Sequence, residues 1–408
     1  MTKTKKTKKY NSKNKSKRKS LMRIKQSRGV KNTHRKRKYK RRRNKANQPV
    51  DRIFLGLVLI LLVIGLIAIL SAGVAVSQVK FGDPYHYFKH QFLYGVLPGV
   101  LLMLIVSRIP YKYWRKMAIP LFGLAIVLLV VVLISNAGLE LKGAKRWINL
   151  GPVSFQPTEM VKLAVVVYLA SWLSVRRDKI KDFTEGLIPF VIIMAIIGIL
   201  IILQPDVGSL GAIAFISLGM FYLAGASFKH IIGLILIGLS GLFVLIKLEP
   251  YRMNRFLAFV NPEIDPQGIG WQVKQAAIAI GHGGIFGVGL GHSHQKFSYL
   301  PEVVGDSIFA IIAEEAGFIG AGIIVVLFLL LALRGFKLAQ QAPDEFSAFL
   351  VAGVSLWIIL QAMINIMAII GLMPLTGITL PFISYGSTSL VFLLIGVGIV
   401  LNISRHCK

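Results

Sequence analysis

Ten stretches of this chain read as helices that cross a lipid bilayer, and nothing else constrains its fold as strongly. They fall at roughly 53–76, 91–107, 117–135, 157–175, 187–203, 209–225, 229–247, 306–333, 347–370 and 380–402. A spanning helix needs about 20 mostly apolar residues, because in hydrocarbon every backbone N–H and C=O must be satisfied inside the segment. The chain is therefore expected to be an all-α integral membrane protein with ten transmembrane helices. Its composition agrees, with 55% apolar and 16% charged residues against about 45–50% and about 25% in an ordinary globular domain. A soluble enzyme, a collagen-like chain and a coiled coil are excluded. The first stretch is too long, and starts too late, to be a cleavable signal peptide. A single cysteine, Cys407, excludes a disulfide framework and any Cys-rich metal site.

The formal net charge of +31 sits mostly at one end. Residues 1–50 hold 23 Lys/Arg and no Asp or Glu, which leaves 25 basic and 17 acidic residues for the rest. A segment so charged and so poor in apolar residues is expected to be a disordered cytoplasmic tail. On a chain with many spans, its partner is expected to be the anionic inner leaflet, at about 1 kcal/mol per basic residue near the surface, and not nucleic acid. The membrane domain is then 51–405. Short-loop charge sets orientation. With the tail inside, the inner loops and the C-terminal end carry thirteen Lys/Arg, among them Arg108, Arg176, Lys229 and Arg334, and the short outer loops five: Lys80, Lys89, Lys142, Lys145 and Arg146. Both termini are expected in the cytoplasm. Residues 248–305 are expected to form one long extracytoplasmic loop between the seventh and eighth helices.

Ionisable groups in spanning segments are costly, at least ~2.5–3.5 kcal/mol each on insertion scales, so they point to function. In this orientation they cluster in the outer half. Glu159 and Lys162 are three residues apart on one helix face, where they can pair. Gln204-Pro205-Asp206 ends one span and Asp306 begins another; Gln361 and Asn365 lie in the last turns of a third, and Ser384-Tyr385-Gly386 opens the last. Mutual pairing that merely holds the bundle together is the plainer reading of any one of them. The set, gathered on one side beneath a long loop, reads as a site. Glu314 and Glu315 lie about 12–13 Å deeper than Asp306 at 1.5 Å per residue, and one of them suits packing or polar contacts between helices rather than chemistry. Lys145, Arg146, Arg252, Arg255, Lys274 and Lys296 add cations suited to a phosphate or pyrophosphate. Gly281–Gly291 holds six glycines in eleven residues. No βαβ unit surrounds it, so it is no dinucleotide motif; a flexible outer loop, re-entrant and able to move over a substrate, is expected. His292 and His294 are too few to define a metal site.

The order and spacing of several stretches carry a family resemblance: GAKRWINLGPVSFQPTEMVKL (143–163), QPDVGS (204–209), the run from Tyr251 to Glu302, DSIFAIIAEEAGFIG (306–320) and GITLPFISYGSTSL (377–390). Over residues 51–404 the chain resembles the shape, elongation, division and sporulation proteins, whose members include FtsW, RodA and SpoVE. The long run and GITLPFISYG look more like the division branch than like RodA-type elongation proteins. The resemblance implies ten helices and a peptidoglycan glycosyltransferase acting on lipid II, a disaccharide-pentapeptide on undecaprenyl pyrophosphate. It implies Asp306 as the essential carboxylate, and matches Arg146 and Trp147, Glu159 and Lys162, and Gln204 to Asp206 to family motifs. Its partners would be a class B penicillin-binding protein, a transpeptidase, and other division proteins. Three departures stand out: Val304-Gly305 where the family usually has His-Thr, Ser387-Thr388 after Ser384-Tyr385-Gly386 where it has Gly-Ser, and His90-Gln91 for a common Arg-Gln.

Polymerisation needs a base for an acceptor hydroxyl and positive charge for a leaving pyrophosphate. Asp306 is expected as the base. Arg146, Lys162, Lys274 and Lys296 would meet the pyrophosphate, with Glu159 orienting Lys162. Gln204, Asp206, Gln275, Glu302 and Ser384 complete the expected substrate site. No cofactor is certain; Asp306 is equally suited to ligate a divalent cation such as Mg2+ or Mn2+. Two other classes compete. A lipid II flippase would show polar residues through its midplane and an internal repeat, neither of which is visible. A non-catalytic division scaffold leaves Asp306 and the buried pair unexplained.

Overall fold

The computed structural model describes residues 49–134, 138–141, 144–149, 151, 154–264, 268–297 and 299–407. The expectation of a disordered basic tail falls almost wholly on residues 1–48, outside the described residues, as does Lys142. The described chain is an all-α membrane protein apart from one small sheet. Among the described residues, nine helices are long and apolar enough to cross a membrane. They are α1 (Arg52–Phe81), α2 (His86–Val106), α3 (Lys112–Ile134), α4 (Pro157–Lys179), α5 (Phe183–Ile202), α7 (Phe228–Leu248), α10 (Ile308–Gln340), α11 (Glu345–Ile369) and α12 (Ser387–Ser404). Between α5 and α7 lies the shorter apolar helix α6 (Val207–Leu223).

The sequence reading missed a three-stranded antiparallel sheet between α3 and α4. It comprises β1 (Gly138–Leu141), β2 (Ala144–Asn149) and β3 (Ser154–Phe155), in that order. Leu139 pairs with Trp147 and Ile148 with Phe155. The segment 248–305 is not an open loop either. It holds two further helices, α8 (Pro250–Val260) and α9 (Ile269–Gly283).

Helices α4, α11 and α12 are the most enclosed. A Cβ on Gly353 of α11 would stand 2.7 Å from the Val166 side chain of α4 and 2.8 Å from that of Met220 of α6, so glycine there leaves room for both side chains. At the end of the bundle that carries Asp51, helix caps double as ties. The Asp51 carboxylate accepts from the Phe54 N–H (2.8 Å) and from the Arg334 guanidinium, and its own N–H donates to Ser404 Oγ (3.0 Å). Asp344 caps α11 through the Ser347 N–H (3.0 Å) and accepts from the Tyr111 hydroxyl (2.6 Å).

Helix α10 is broken at Gly317, where φ is 67° and ψ is −169°. A break in a spanning helix frees backbone groups that lipid cannot satisfy. Here the glycine-rich segment satisfies them. Val288 N–H donates to Glu314 O and Gly289 N–H to Glu315 O, both at 3.0 Å; Phe318 N–H donates to Gly284 O (2.9 Å) and Ile319 N–H to Ile285 O (3.2 Å). A Cβ on Gly287, whose φ is +83°, would lie 2.2 Å from Glu315 O. The expectation of a flexible loop is therefore corrected: these glycines permit backbone-to-backbone contact, and the segment is bonded into the helix break.

Candidate active site

The site is built where α9, the start of α10 and the end of α11 converge. Asp306 lies two residues ahead of α10 on a tight turn in which the Gly305 and Ser307 N–H groups donate to Glu302 O (2.9 and 3.2 Å). Glu302 turns the chain with φ +52°; its side chain is exposed. Gln272 of α9 reaches this turn, its Nε2 lying 3.3 Å from Asp306 Oδ1 and 2.9 Å from Ser307 Oγ. Asn365 Nδ2 donates to Asp306 O and to Ile378 O, each at 2.8 Å. Tyr385 N–H donates to Val304 O (2.8 Å). Two separate helices thus hold the Asp306 side chain and backbone, and the turn before α12 holds Val304 two residues earlier. Gln272 is a residue that sequence reasoning missed. Its only signal is that it lies three residues before Gln275, on the same helix face.

A second cluster surrounds Lys162. Its ammonium is buried, 2.8 Å from Glu159 Oε1, 2.7 Å from Oε2 and 2.8 Å from Gln361 Oε1. It also lies 5.6 Å from the Trp357 ring centroid. The Trp357 indole N–H donates to the same Gln361 oxygen (2.8 Å), while Gln361 Nε2 donates to Thr379 O (3.0 Å). Gln361 and Asn365 are one helical turn apart, about 6 Å along α11. Together they clamp the backbone at 378–379 between the Lys162 pair and the Asp306 turn.

A third cluster joins the sheet to the turn after α5. Arg146 Nε donates to Gln204 O (3.2 Å) and another guanidinium nitrogen to Pro205 O. Gln204 Nε2 donates to Leu129 O (3.0 Å), and Asp206 caps α6 by accepting from Ser209 N–H (3.2 Å). Gln204 Oε1, Asp206 Oδ2 and Asn365 Oδ1 are buried with no hydrogen-bond partner among the described residues; such acceptors keep capacity for a donor.

The expected residues divide accordingly. Asp306 and Gln275 sit at the α9–α10 junction, Gln275 being buried. Ser384 is buried in its own turn, accepting from Leu380 N–H (2.8 Å). Lys274 is exposed on α9, two residues from Gln272 and so on the other side of the helix. Lys296 is drawn elsewhere. Its buried ammonium donates to Gly291 O (2.6 Å) and Glu315 Oε1 (3.1 Å), and Ser71 of α1 donates to the same carboxylate at 2.7 Å. Lys296 is thus a tie between the glycine-rich segment and the membrane helices. Glu314 is a tie as well, accepting from Ser293 Oγ and from the His294 (3.1 Å) and Gln295 (3.4 Å) N–H groups. Val304, standing in for the family's usual histidine, is buried against Gly73 of α1.

An apolar groove of about 320 Å³ runs along the first turns of α10 and the end of α11, lined among others by Phe309, Ala313, Phe318, Ile366 and Ile370. Among the described residues no three His, Cys, Asp or Glu side chains converge on one point. A divalent cation at Asp306 would take one protein carboxylate and otherwise substrate oxygens, the usual coordination of Mg2+.

Residues 51–408 match a family model described as "Cell cycle protein", that of FtsW, RodA and SpoVE. The chain is 41% identical over 358 residues to stage V sporulation protein E of Bacillus subtilis, covering 88% of this chain and 98% of that protein. It is 37% identical over 358 residues to the probable peptidoglycan glycosyltransferase FtsW of Trichlorobacter lovleyi, covering 88% and 94%. Among solved structures it is similar to a chain of a peptidoglycan synthase complex that coordinates polymerization and crosslinking, with a TM-score of 0.70 and 29% identity over 87% of this chain and 98% of that one. Rod shape determining protein RodA of Thermus thermophilus gives 0.65 and 27% over 87% and 97%.

Proposed function

The chain belongs to the FtsW, RodA and SpoVE family of cell-cycle proteins, on the FtsW and SpoVE side, and is a peptidoglycan glycosyltransferase; we propose that it polymerises lipid II with Asp306 as the general base. The observation that carries this reading is the Asp306 turn itself. A carboxylate at the end of a spanning helix is held by a side-chain amide on its oxygen and by a second amide on its backbone, beside an apolar groove lined by Phe309, Ala313 and Ile366.

In the reaction, Asp306 takes the proton from the acceptor sugar's C4 hydroxyl as that oxygen bonds to the anomeric carbon of the donor. The bond from that carbon to the pyrophosphate oxygen breaks, and undecaprenyl pyrophosphate leaves with the electron pair. A positioned base contributes roughly 10²–10⁴-fold. Arg146, which keeps further N–H donors beyond those on residues 204–205, and the exposed Lys274 meet the leaving charge. Lys162 and Glu159 act as positioning residues, holding Gln361 and through it the 378–379 segment. Gln204 and Asp206 shape the same wall.

Ten membrane spans, with α6 as the sixth, both termini in the cytoplasm and 248–305 on the outer side best explain the Lys/Arg asymmetry of the short loops. The site then faces the outer leaflet of a bacterial cytoplasmic membrane. The basic tail rests on acidic inner-leaflet lipids. A class B penicillin-binding transpeptidase is the partner best supported, since the solved relative belongs to a synthase complex that joins polymerization to crosslinking.

The test is glycan-chain formation from purified lipid II, with and without the cognate transpeptidase and with moenomycin suppressing contaminating polymerases. Wild-type protein makes chains, and folded Asp306→Asn makes none. Near-normal chains from that variant would overturn the assignment. No chains from wild type with any partner would turn the reading toward lipid translocation.

A further inference from the structure

Helix α7 is the least enclosed of the spans: only 6% of its apolar window is buried, against 78% for α4. Its side chains Leu236, Ile237, Leu239 and Phe243 are largely exposed. Between α7 and α5 runs a groove of about 440 Å³, lined along its length by residues such as Leu187, Val191, Leu234 and Ile237. That size lies within the ≈ 300–1,000 Å³ range of ligand sites. Gly233 lies on this groove, and nothing stands within 4 Å of a Cβ placed there.

The groove is apolar everywhere except at one end, where Lys229 and His230 close it. Lys229 is exposed and makes no ion pair among the described residues. His230 stacks edge-on to Phe183, with ring centroids 6.2 Å apart, and its Nδ1 is buried without a hydrogen-bond partner. Lys181 is exposed on the turn that leads into α5. The carboxylates of that turn are already committed. Asp182 accepts from the Thr184 N–H (2.7 Å), the Thr184 hydroxyl (2.7 Å) and the Glu185 N–H (2.9 Å), and Glu185 pairs with Lys179.

We propose that this groove is a binding site for an acidic phospholipid, with one acyl chain between α5 and α7 and its phosphate on Lys229 and His230. An apolar trough closed by two nitrogen-bearing side chains complements a lipid that is apolar along its length and anionic at one end. A zwitterionic lipid would bring its own cation to Lys229 and fit worse. The bound lipid supplies the packing that protein does not give α7, and so fixes a helix that leads directly into α8 and the segment carrying Gln272. That the site lies in the inner leaflet rests on the orientation proposed above; the lipid chemistry does not.

The test uses the full chain, so that the basic tail is common to every sample. Protein is delipidated in neutral detergent and titrated with phosphatidylglycerol or phosphatidylcholine, with retained lipid counted by native mass spectrometry. Wild type retains one phosphatidylglycerol in preference to phosphatidylcholine, and inorganic phosphate does not displace it. Lys229→Gln weakens phosphatidylglycerol retention roughly fivefold, the equivalent of the ~1 kcal/mol of one basic residue at an acidic lipid surface. Gly233→Leu, which fills the trough and leaves the cations, weakens both lipids. Lys116→Gln, a basic residue on another turn, changes neither. Equal retention of the two lipids by wild type, displacement by phosphate alone, or indifference to both Lys229→Gln and Gly233→Leu would overturn the proposal. Lys229→Cys in a Cys407→Ser background reports the leaflet separately. Labelling from outside would sink the orientation while leaving the lipid result standing.

Discussion

Replacing Glu159 with Leu leaves the Lys162 ammonium inside the bundle with only Gln361 Oε1 as acceptor. Replacing Lys162 with Met leaves the Glu159 carboxylate there with no cation. Both side chains are almost fully buried, at 5% and 2% exposure, so solvent does not repair either loss. Breaking a buried pair from one side costs about 3–5 kcal/mol, whereas replacing both partners by apolar groups of similar volume is often neutral or stabilising. The structure favours that contrast, because Gln361 Oε1 keeps its second donor, the Trp357 indole N–H at 2.8 Å, when the lysine goes. The double variant Glu159→Leu/Lys162→Met should therefore be more stable than either single variant. The assay is reversible unfolding by SDS in mixed micelles, followed by tryptophan fluorescence and read as a double-mutant cycle. Additive single-variant losses would refute the reasoning, because they would mean that the two charges do not depend on each other. Polymerisation by the folded double variant then separates positioning from contact: residual activity fits a positioning role, and complete loss assigns Lys162 to the substrate.

Gln272→Ala should lower kcat roughly tenfold to a hundredfold, the scale of a misplaced reacting group, with little change in KM; an unchanged kcat would release Gln272 from the Asp306 turn. Gly287 and Gly291 have nearly equal φ, +83° and +81°, but a Cβ meets Glu315 O at the first and open space at the second. Alanine at 291 should cost only left-handed strain, about 1–2 kcal/mol, and alanine at 287 distinctly more; equal losses would dissolve the argument from close approach. Burial alone would raise the Asp344 carboxyl, but the Tyr111 hydroxyl, the Ser347 donors and Lys112 outweigh it and hold it below its ordinary 3.8. A depressed folded value means that its contribution is present above 3.8 and is lost as the pH falls through the folded value. Tyr111→Phe should accordingly flatten the acid loss of thermal stability below about pH 4, and an unchanged acid limb would refute it.

The spans were legible because run length and apolarity are one-dimensional properties. So was the pairing of Glu159 with Lys162, since i,i+3 spacing puts two residues on one helix face wherever the helix packs. Gln272 was not legible. Its amide meets Asp306 across 34 residues of chain, a contact that depends on how α9 docks. The glycine-rich segment misled for a related reason: flexible glycines and glycines needed for close backbone approach have the same composition, and only the break at Gly317 distinguishes them. Lys296 resembled its basic neighbours in sequence. Its partner Glu315 lies 19 residues further along the chain, a pairing that depends on how the glycine-rich segment docks on α10.

The break in α10 also bears on the order in which the protein can be made. When Gly317 leaves the ribosome, residues 284–289, which take up its freed backbone groups, have already been synthesised, as has Ser71, which holds Glu315. The weak point of α10 therefore never waits in lipid for a partner still to come. Asp306 does wait. Asn365, which grips its backbone, and Tyr385, which grips its neighbour Val304, belong to the last two helices and the turn between them. The turn that carries Asp306 thus gains these two ties only after α11 and the turn before α12 have been made.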